Sequence, residues 1–157
     1  MMKIELVKAE ISDAERLLEI QKSCFIPHLE RYQDYATSPA TISLNKIQRQ
    51  IQKDNFYKIL ADDLWVGSIN IKKLDNEGNY MLHIINVLPA YQGMGIGQQA
   101  IKLIEEIFSD AKSWRLETLE DMAGNRHLYE KMGYQLTGRT EKINDKLTLV
   151  FYEKTIF

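Results

Sequence analysis

Cysteine is nearly absent from this sequence: Cys24 is the only one. An intrachain disulfide is therefore impossible, and a metal site built from cysteines has too few ligands. No apolar run approaches the roughly 18 residues needed to span a bilayer. The opening stretch MMKIELVKAEISD lacks the apolar centre of a signal peptide. An excess of one charge is missing as well: 20 basic and 22 acidic side chains leave a net charge of −2. No global positive field draws such a protein to nucleic acid or anionic lipid. The expectation is a cytoplasmic protein whose partners include neither nucleic acid nor membrane. His28, His83 and His127 show no metal-ligand spacing, so no metal is expected. No G-x-S-x-G elbow announces a nucleophilic serine. Internal repeats, low-complexity tracts and domain linkers are also absent.

What is present suits one folded domain. The chain has 157 residues, 45% hydrophobic and 27% charged, enough to bury a real core. KIELVKA (Lys3 to Ala9) reads as a first strand. Ser12 and Asp13 offer N-cap side chains to a helix over AERLLEIQKSCF, with Leu17, Leu18, Ile20 and Phe25 on its apolar face. Pro27 is expected to break that helix. The following residues to Thr41 read as loop or irregular helix, and a second helix is predicted over ISLNKIQRQIQKD. Phe56–Asp62 and Leu64–Leu74 read as strands joined at Asp62–Asp63. Gly78 supplies positive φ in the next turn. Tyr80–Val87 has almost no polar face and reads as a central strand. A helix over Gln98–Ala111, a strand over Ser113–Leu119 and a short helix over Asn125–Met132, closed by Gly133, come next. A terminal hairpin turns near Asn144–Asp145. Alternating strands and helices with antiparallel hairpins predict an α/β fold on a mixed sheet.

The chemistry concentrates in VLPAYQGMGIGQQAI. Gly93, Gly95 and Gly97 stand between a strand and a helix, where glycine permits positive φ and close approach of a ligand. The first N–H groups of a helix lack intrahelical partners and the macrodipole favours negative charge, so this turn suits an anion such as a pyrophosphate. The dinucleotide fingerprint fails because Gln98 stands where its third glycine belongs. The P-loop fails because no Gly-Lys-Ser/Thr follows. A tight strand-to-helix turn explains one glycine, but three in alternation less well.

Gln92-Gly93-Met94-Gly95-Ile96-Gly97 resembles the Q/R-x-x-G-x-G/A motif of the GNAT family of N-acetyltransferases, and NVLPAYQG resembles its lead-in. Further on, NRHLYEKMGY resembles the family's second signature. The two lie in the family's order, and the element order matches from Lys3 to Phe157. The resemblance implies a single N-acetyltransferase domain over residues 1–157. Its central mixed, mostly antiparallel sheet has six to seven strands flanked by helices, with a splay between the fourth and fifth.

It also implies acetyl-CoA as cosubstrate and a small-molecule amine or peptide as acceptor. The amides of Gln92, Gly93, Met94, Gly95, Ile96 and Gly97, with Gln98 adjacent, would hold the pyrophosphate. Asn86 and Val87, ending the fourth strand, would flank the pantetheine arm, with an N–H near Val87 as oxyanion donor. Asn125 matches a residue that contacts the CoA arm, and could equally be a helix N-cap. Tyr129 matches the tyrosine that protonates the departing thiolate; the alternative is packing beside Leu128 and Met132.

His83 is the first choice of base and Glu117 the second. A satisfied core histidine and a solvated carboxylate are the plainer readings of these two. His28, Glu30 and Asp34 fall in the stretch where the family builds its acceptor pocket. A solvated loop explains them as well. Cys24 reads as a small buried apolar residue. Dimerisation is common in the family, and nothing in the sequence fixes it. A non-catalytic acyl-CoA-binding module and a transferase for a longer acyl group remain as alternatives.

Overall fold

A computed structural model describes residues 2–33 and 39–156. Seven strands form one sheet: β1 (Ile4–Lys8), β2 (Asn55–Ala61), β3 (Leu64–Lys73), β4 (Asn79–Val87), β5 (Ser113–Leu119), β6 (Gln135–Asn144) and β7 (Leu147–Thr155). Their spatial order is β1-β2-β3-β4-β5-β7-β6. Every neighbouring pair is antiparallel except β4–β5. The described helices are α1 (Ala14–Tyr32), α2 (Leu44–Lys53), α3 (Ile96–Ile107) and α4 (Ala123–Lys131). None is long and apolar enough to cross a membrane.

Two apolar clusters hold these layers together. In one, Ile96, Ala100, Ile101 and Ile104 of α3 meet Ile69, Ile71, Leu82 and Trp114 of the sheet. In the other, Leu17 of α1 meets Ile47 and Ile51 of α2 and Phe56 of β2. Both helix faces follow from apolar residues three and four apart.

The middle of the sheet is built to open. β4 and β5 pair only through Asn79–Met81 and Ser113–Arg115. That closed end is fastened by aromatic packing: Tyr80 stacks on Trp114 at 5.4 Å and Phe108 meets Trp114 edge-on at 5.9 Å. Beyond it the strands part, as the family resemblance led us to expect. The register between β3 and β4 passes from Asn70↔Ile84 to Ile71↔Leu82, which makes His83 the extra residue of a β-bulge. A bulge bends its strand and increases the local twist, and this one lies where β4 leaves β5.

Close approach of β3 and β4 at the open end depends on Gly67. A Cβ there would stand 2.1 Å from the Asn86 carbonyl oxygen. Gly67→Ala must push the strands apart, and overpacking of this kind costs about 1–3 kcal/mol. A urea titration should register that loss as a lower midpoint. An unchanged midpoint would mean that the strands yield without cost.

Pro27 does not break α1, contrary to the sequence-based expectation. A proline forgoes one backbone bond, but the end of the helix is tied down elsewhere. The Tyr32 hydroxyl donates to Asp121 Oδ1 at 2.6 Å, and Asn144 Nδ2 donates to the Tyr32 carbonyl at 2.9 Å. Asp13 makes no side-chain cap to α1; its Oδ2 accepts the Glu10 N–H at 2.8 Å instead. α3 starts at Ile96, two residues before the predicted Gln98, because Gly95 at φ 79° is its N-cap. The closing hairpin turns at Asp145–Lys146.

Candidate functional site

The parted strands frame a cavity of about 640 Å³, within the range of small-ligand sites. His83 and Ile85 of β4 line one side and Glu117, Thr118 and Leu119 of β5 the other. Asn125 and Tyr129 of α4 also line it, and α1, α2 and the β6–β7 hairpin contribute the remaining wall. Four residues singled out from the sequence (His83, Glu117, Asn125 and Tyr129) therefore share one space. Asn125 is the third residue of α4, whose N-cap is Met122, so the N-cap reading of Asn125 does not hold. Glu30 is exposed on α1 and is not part of the cavity wall. Asp34 and the side chain of His28 lie outside the described residues.

Tyr129 is buried. Its ring packs 6.2 Å from those of Tyr134 and Tyr152, and burial pushes its phenol up to about 12. The hydroxyl keeps its proton across the physiological range and can donate it. His83 has its pKa pulled down to about 4, by burial first and then by the Lys72 charge, with Lys46 adding to it and Asp54 opposing. Its Nδ1 is buried without a hydrogen-bond partner, and the ring is neutral at pH 7. The Glu117 carboxyl is raised, first by burial, then by the neighbouring Glu141 charge, against Arg139.

The glycine turn stands just past the parted end of β4. Gly93 and Gly95 both adopt φ 79°, a conformation costly to any residue with a Cβ. A Cβ built on either meets nothing within 4 Å, so both face open space. The Gln99 N–H bonds the Gly95 carbonyl at 3.1 Å, which leaves the preceding amides of α3 aimed out of the helix end. Gln92 Nε2 donates to the Val87 carbonyl at 2.9 Å and latches the turn to β4. Met94 is exposed, while Ile96 is buried and anchors α3. Gly97 lies where α3 passes α4, its Cβ position 3.6 Å from Leu128. Gln98 is partly exposed in the first turn of α3. Such a cradle fits a diphosphate: open space, positive φ and convergent N–H groups.

The end of β4 also has a usable backbone. Leu88 N–H bonds Val66 of β3 at 2.8 Å. Successive N–H groups point to opposite edges of a strand, so that of Val87 is directed away from β3, toward the gap. The Asn86 side chain is engaged elsewhere: its Oδ1 accepts from the Ser68 N–H at 3.0 Å and from the Ser68 hydroxyl at 3.1 Å. Cys24 is buried, its Sγ 3.5 Å from the Val87 carbonyl, and burial pushes its thiol up to about 11. It is an inert thiol at neutral pH.

Sequence reasoning missed Gln21, Gln50 and Glu141 among the cavity residues. A signal did exist for the two glutamines. Gln21 shares a helix face with Leu17 and Cys24, and Gln50 with Ile47, so each interrupts an apolar stripe.

Several solved structures share this fold across nearly the whole chain. The PaiA N-acetyltransferase of Thermoplasma acidophilum, in complex with coenzyme A, is 22% identical with a TM-score of 0.70, over 99% of this chain and 100% of that one. An acetyltransferase of Thermus thermophilus is 14% identical with a TM-score of 0.73, covering 98% and 97%. The putative acetyltransferase yncA of Salmonella typhimurium, with acetyl-CoA, is 14% identical with a TM-score of 0.75, covering 100% and 95%. No curated protein sequence matches. The model of the acetyltransferase (GNAT) family matches residues 14–134, including the glycine turn, the parted strands and the Tyr129 helix. The chain belongs to the GNAT family of acetyltransferases.

Proposed function

We propose that this protein transfers an acetyl group from acetyl-CoA directly to the primary amine of a small molecule or peptide. The observation that carries this reading is the gap between β4 and β5, whose cavity is lined by Glu117, Asn125 and Tyr129 and whose β4 side runs on along the chain into the glycine turn. Acetyl-CoA supplies an activated acyl group as a thioester. The turn from Gln92 to Gly97, with Gln98, holds the diphosphate through backbone amides. Along the parted edge, Asn86 and Val87 flank the pantetheine arm, and Asn125 reaches it from α4. The Val87 N–H meets the negative charge that develops on the carbonyl oxygen. Tyr129 then gives its proton to the departing sulfur.

For the base, the environments of the two candidates favour Glu117 over His83. A proton taken by His83 would create a cation near Lys72 and Lys46. A proton taken by Glu117 removes a charge from a half-buried site shared with Glu141. The Glu117 carboxylate also attracts the ammonium that it must deprotonate. His83 remains neutral and accepts a hydrogen bond.

The pH profile separates the two. Glu117 works as its carboxylate, so activity is lost as pH falls through its raised pKa, above the ordinary 4.5. His83 is already neutral at any pH above about 4 and adds no limb near neutrality. Glu117→Gln should remove the acidic limb of kcat/KM together with most of the rate, about a hundredfold. His83→Gln should leave the limb in place; the reverse pattern would return the role to His83. The function itself is tested by following thiol release from acetyl-CoA with a panel of amines. Amine-dependent release is expected. Cofactor binding without release on any amine would point instead to an acyl-CoA-binding module.

A further inference from the structure

The acceptor side of the cavity has a definite chemical bias. β5, β7 and β6 present one continuous face to it. Leu119 of β5 pairs with Leu149 of β7, which pairs with Glu141 of β6, while Glu117 pairs with Phe151 one row away. Leu119, Leu147, Leu149 and Ile143 make that wall apolar, and Glu117 and Glu141 stand out from it. At Glu117 the Glu141 charge outweighs that of Arg139, whose guanidinium is drawn over the Phe151 ring at 4.3 Å.

The opposite wall repeats the bias in uncharged groups. Gln21 and Gln50, 0% and 6% exposed, both line the cavity, and each keeps a buried amide oxygen with no hydrogen-bond partner. The Gln21 amide is oriented by its own Nε2, which donates to the Pro39 carbonyl at 3.0 Å. A buried acceptor without a donor costs about 1–3 kcal/mol, so a ligand that supplies donors gains by satisfying it. His83 Nδ1 adds a third buried polar atom without a partner. Among the described residues that line the cavity the cation is Lys46, exposed on α2.

We propose that the cavity selects a small amine with no carboxylate and with a second hydrogen-bond donor, and that Glu141 and Gln50 determine this preference. The proposal rests on the reading of this cavity as the acceptor site. Glu141 adds to the pull of Glu117 on the ammonium and repels carboxylates. Gln50 rewards a hydroxyl or a second ammonium at the far end of the molecule once its amide turns the oxygen, shut off from solvent in this structure, toward the cavity.

Four five-carbon probes that differ in one end group test it: cadaverine, aminopentanol, pentylamine and aminopentanoate. Each is titrated calorimetrically into protein saturated with CoA, and thiol release from acetyl-CoA is followed in parallel. Cadaverine and aminopentanol should bind at least about tenfold more tightly than pentylamine, with aminopentanoate weakest. Glu141→Gln, a change at an exposed residue, should raise the affinity for aminopentanoate relative to cadaverine. Gln50→Leu should erase the advantage of aminopentanol over pentylamine. Equal affinities, no binding by any probe, or tightest binding of aminopentanoate through Lys46 would overturn the proposal. The predicted ranking without thiol release would leave it standing and refute the transferase reading; turnover of all four at equal efficiency would do the opposite.

Discussion

Replacing Gly95 with glutamate is expected to weaken acetyl-CoA binding by at least about a hundredfold. Two effects act together. A residue with a Cβ held at φ 79° costs about 1–2 kcal/mol, so the turn relaxes away from its anion-binding shape. The new carboxylate also stands at the start of α3, where the diphosphate would lie, and like charges a few ångströms apart near a protein surface repel by about 1–4 kcal/mol. The fold should survive, since a Cβ at Gly95 meets nothing within 4 Å and a carboxylate at a helix N-terminus is favourable by itself. Gly95→Ala, carrying the strain without the charge, should lose only about tenfold. Calorimetric titrations of both variants, with thermal melts as control, give the comparison. Undiminished binding in the glutamate variant would place the cofactor elsewhere.

Tyr129→Phe should lower kcat by about a hundredfold or more while acetyl-CoA affinity changes little. The ring would remain packed against Tyr134 and Tyr152, so the substitution removes one oxygen and no apolar surface. Burial pushes that phenol up to about 12, so it stays protonated in every assay near neutrality. Its basic limb therefore lies outside the usual range, and the kcat–pH profile of the wild type should show no loss from Tyr129 below pH 10. An unchanged kcat in the phenylalanine variant would hand the acid role to water or another group.

The elements nearest the transfer chemistry were legible because local rules govern them. β5 was predicted with its observed bounds, and the Asp62–Asp63 turn has the positive φ values of a tight hairpin. Gly93 and Gly95 marked the turn because glycine takes φ 79° beside open space without the cost a Cβ would bring, whereas Gly97 sits inside α3 with its Cβ position 3.6 Å from Leu128. Long-range contacts hid the rest. The extension of α1 past Pro27 depends on Asp121 and Asn144, both distant in sequence. The His83 bulge exists only in the pairing of β4 with β3. It makes an alternating apolar strand bend away from β5. The cavity wall joins α1, α2, β5 and the β6–β7 hairpin, so no local pattern could bring Gln50 and Glu141 together. Burial and the charges of Lys72 and Lys46 pull His83 down, while burial and Glu141 raise Glu117, and neither influence can be read from a histidine in an apolar run.

The most direct test of the whole account is a calorimetric titration of the wild-type protein with acetyl-CoA. Binding at one site per chain, competed by CoA and not by ATP or NAD, is the result expected of a diphosphate cradle joined to an open strand edge. A chain that takes up no acetyl-CoA at millimolar concentration would contradict the account, leaving the fold of an acetyltransferase without its cosubstrate.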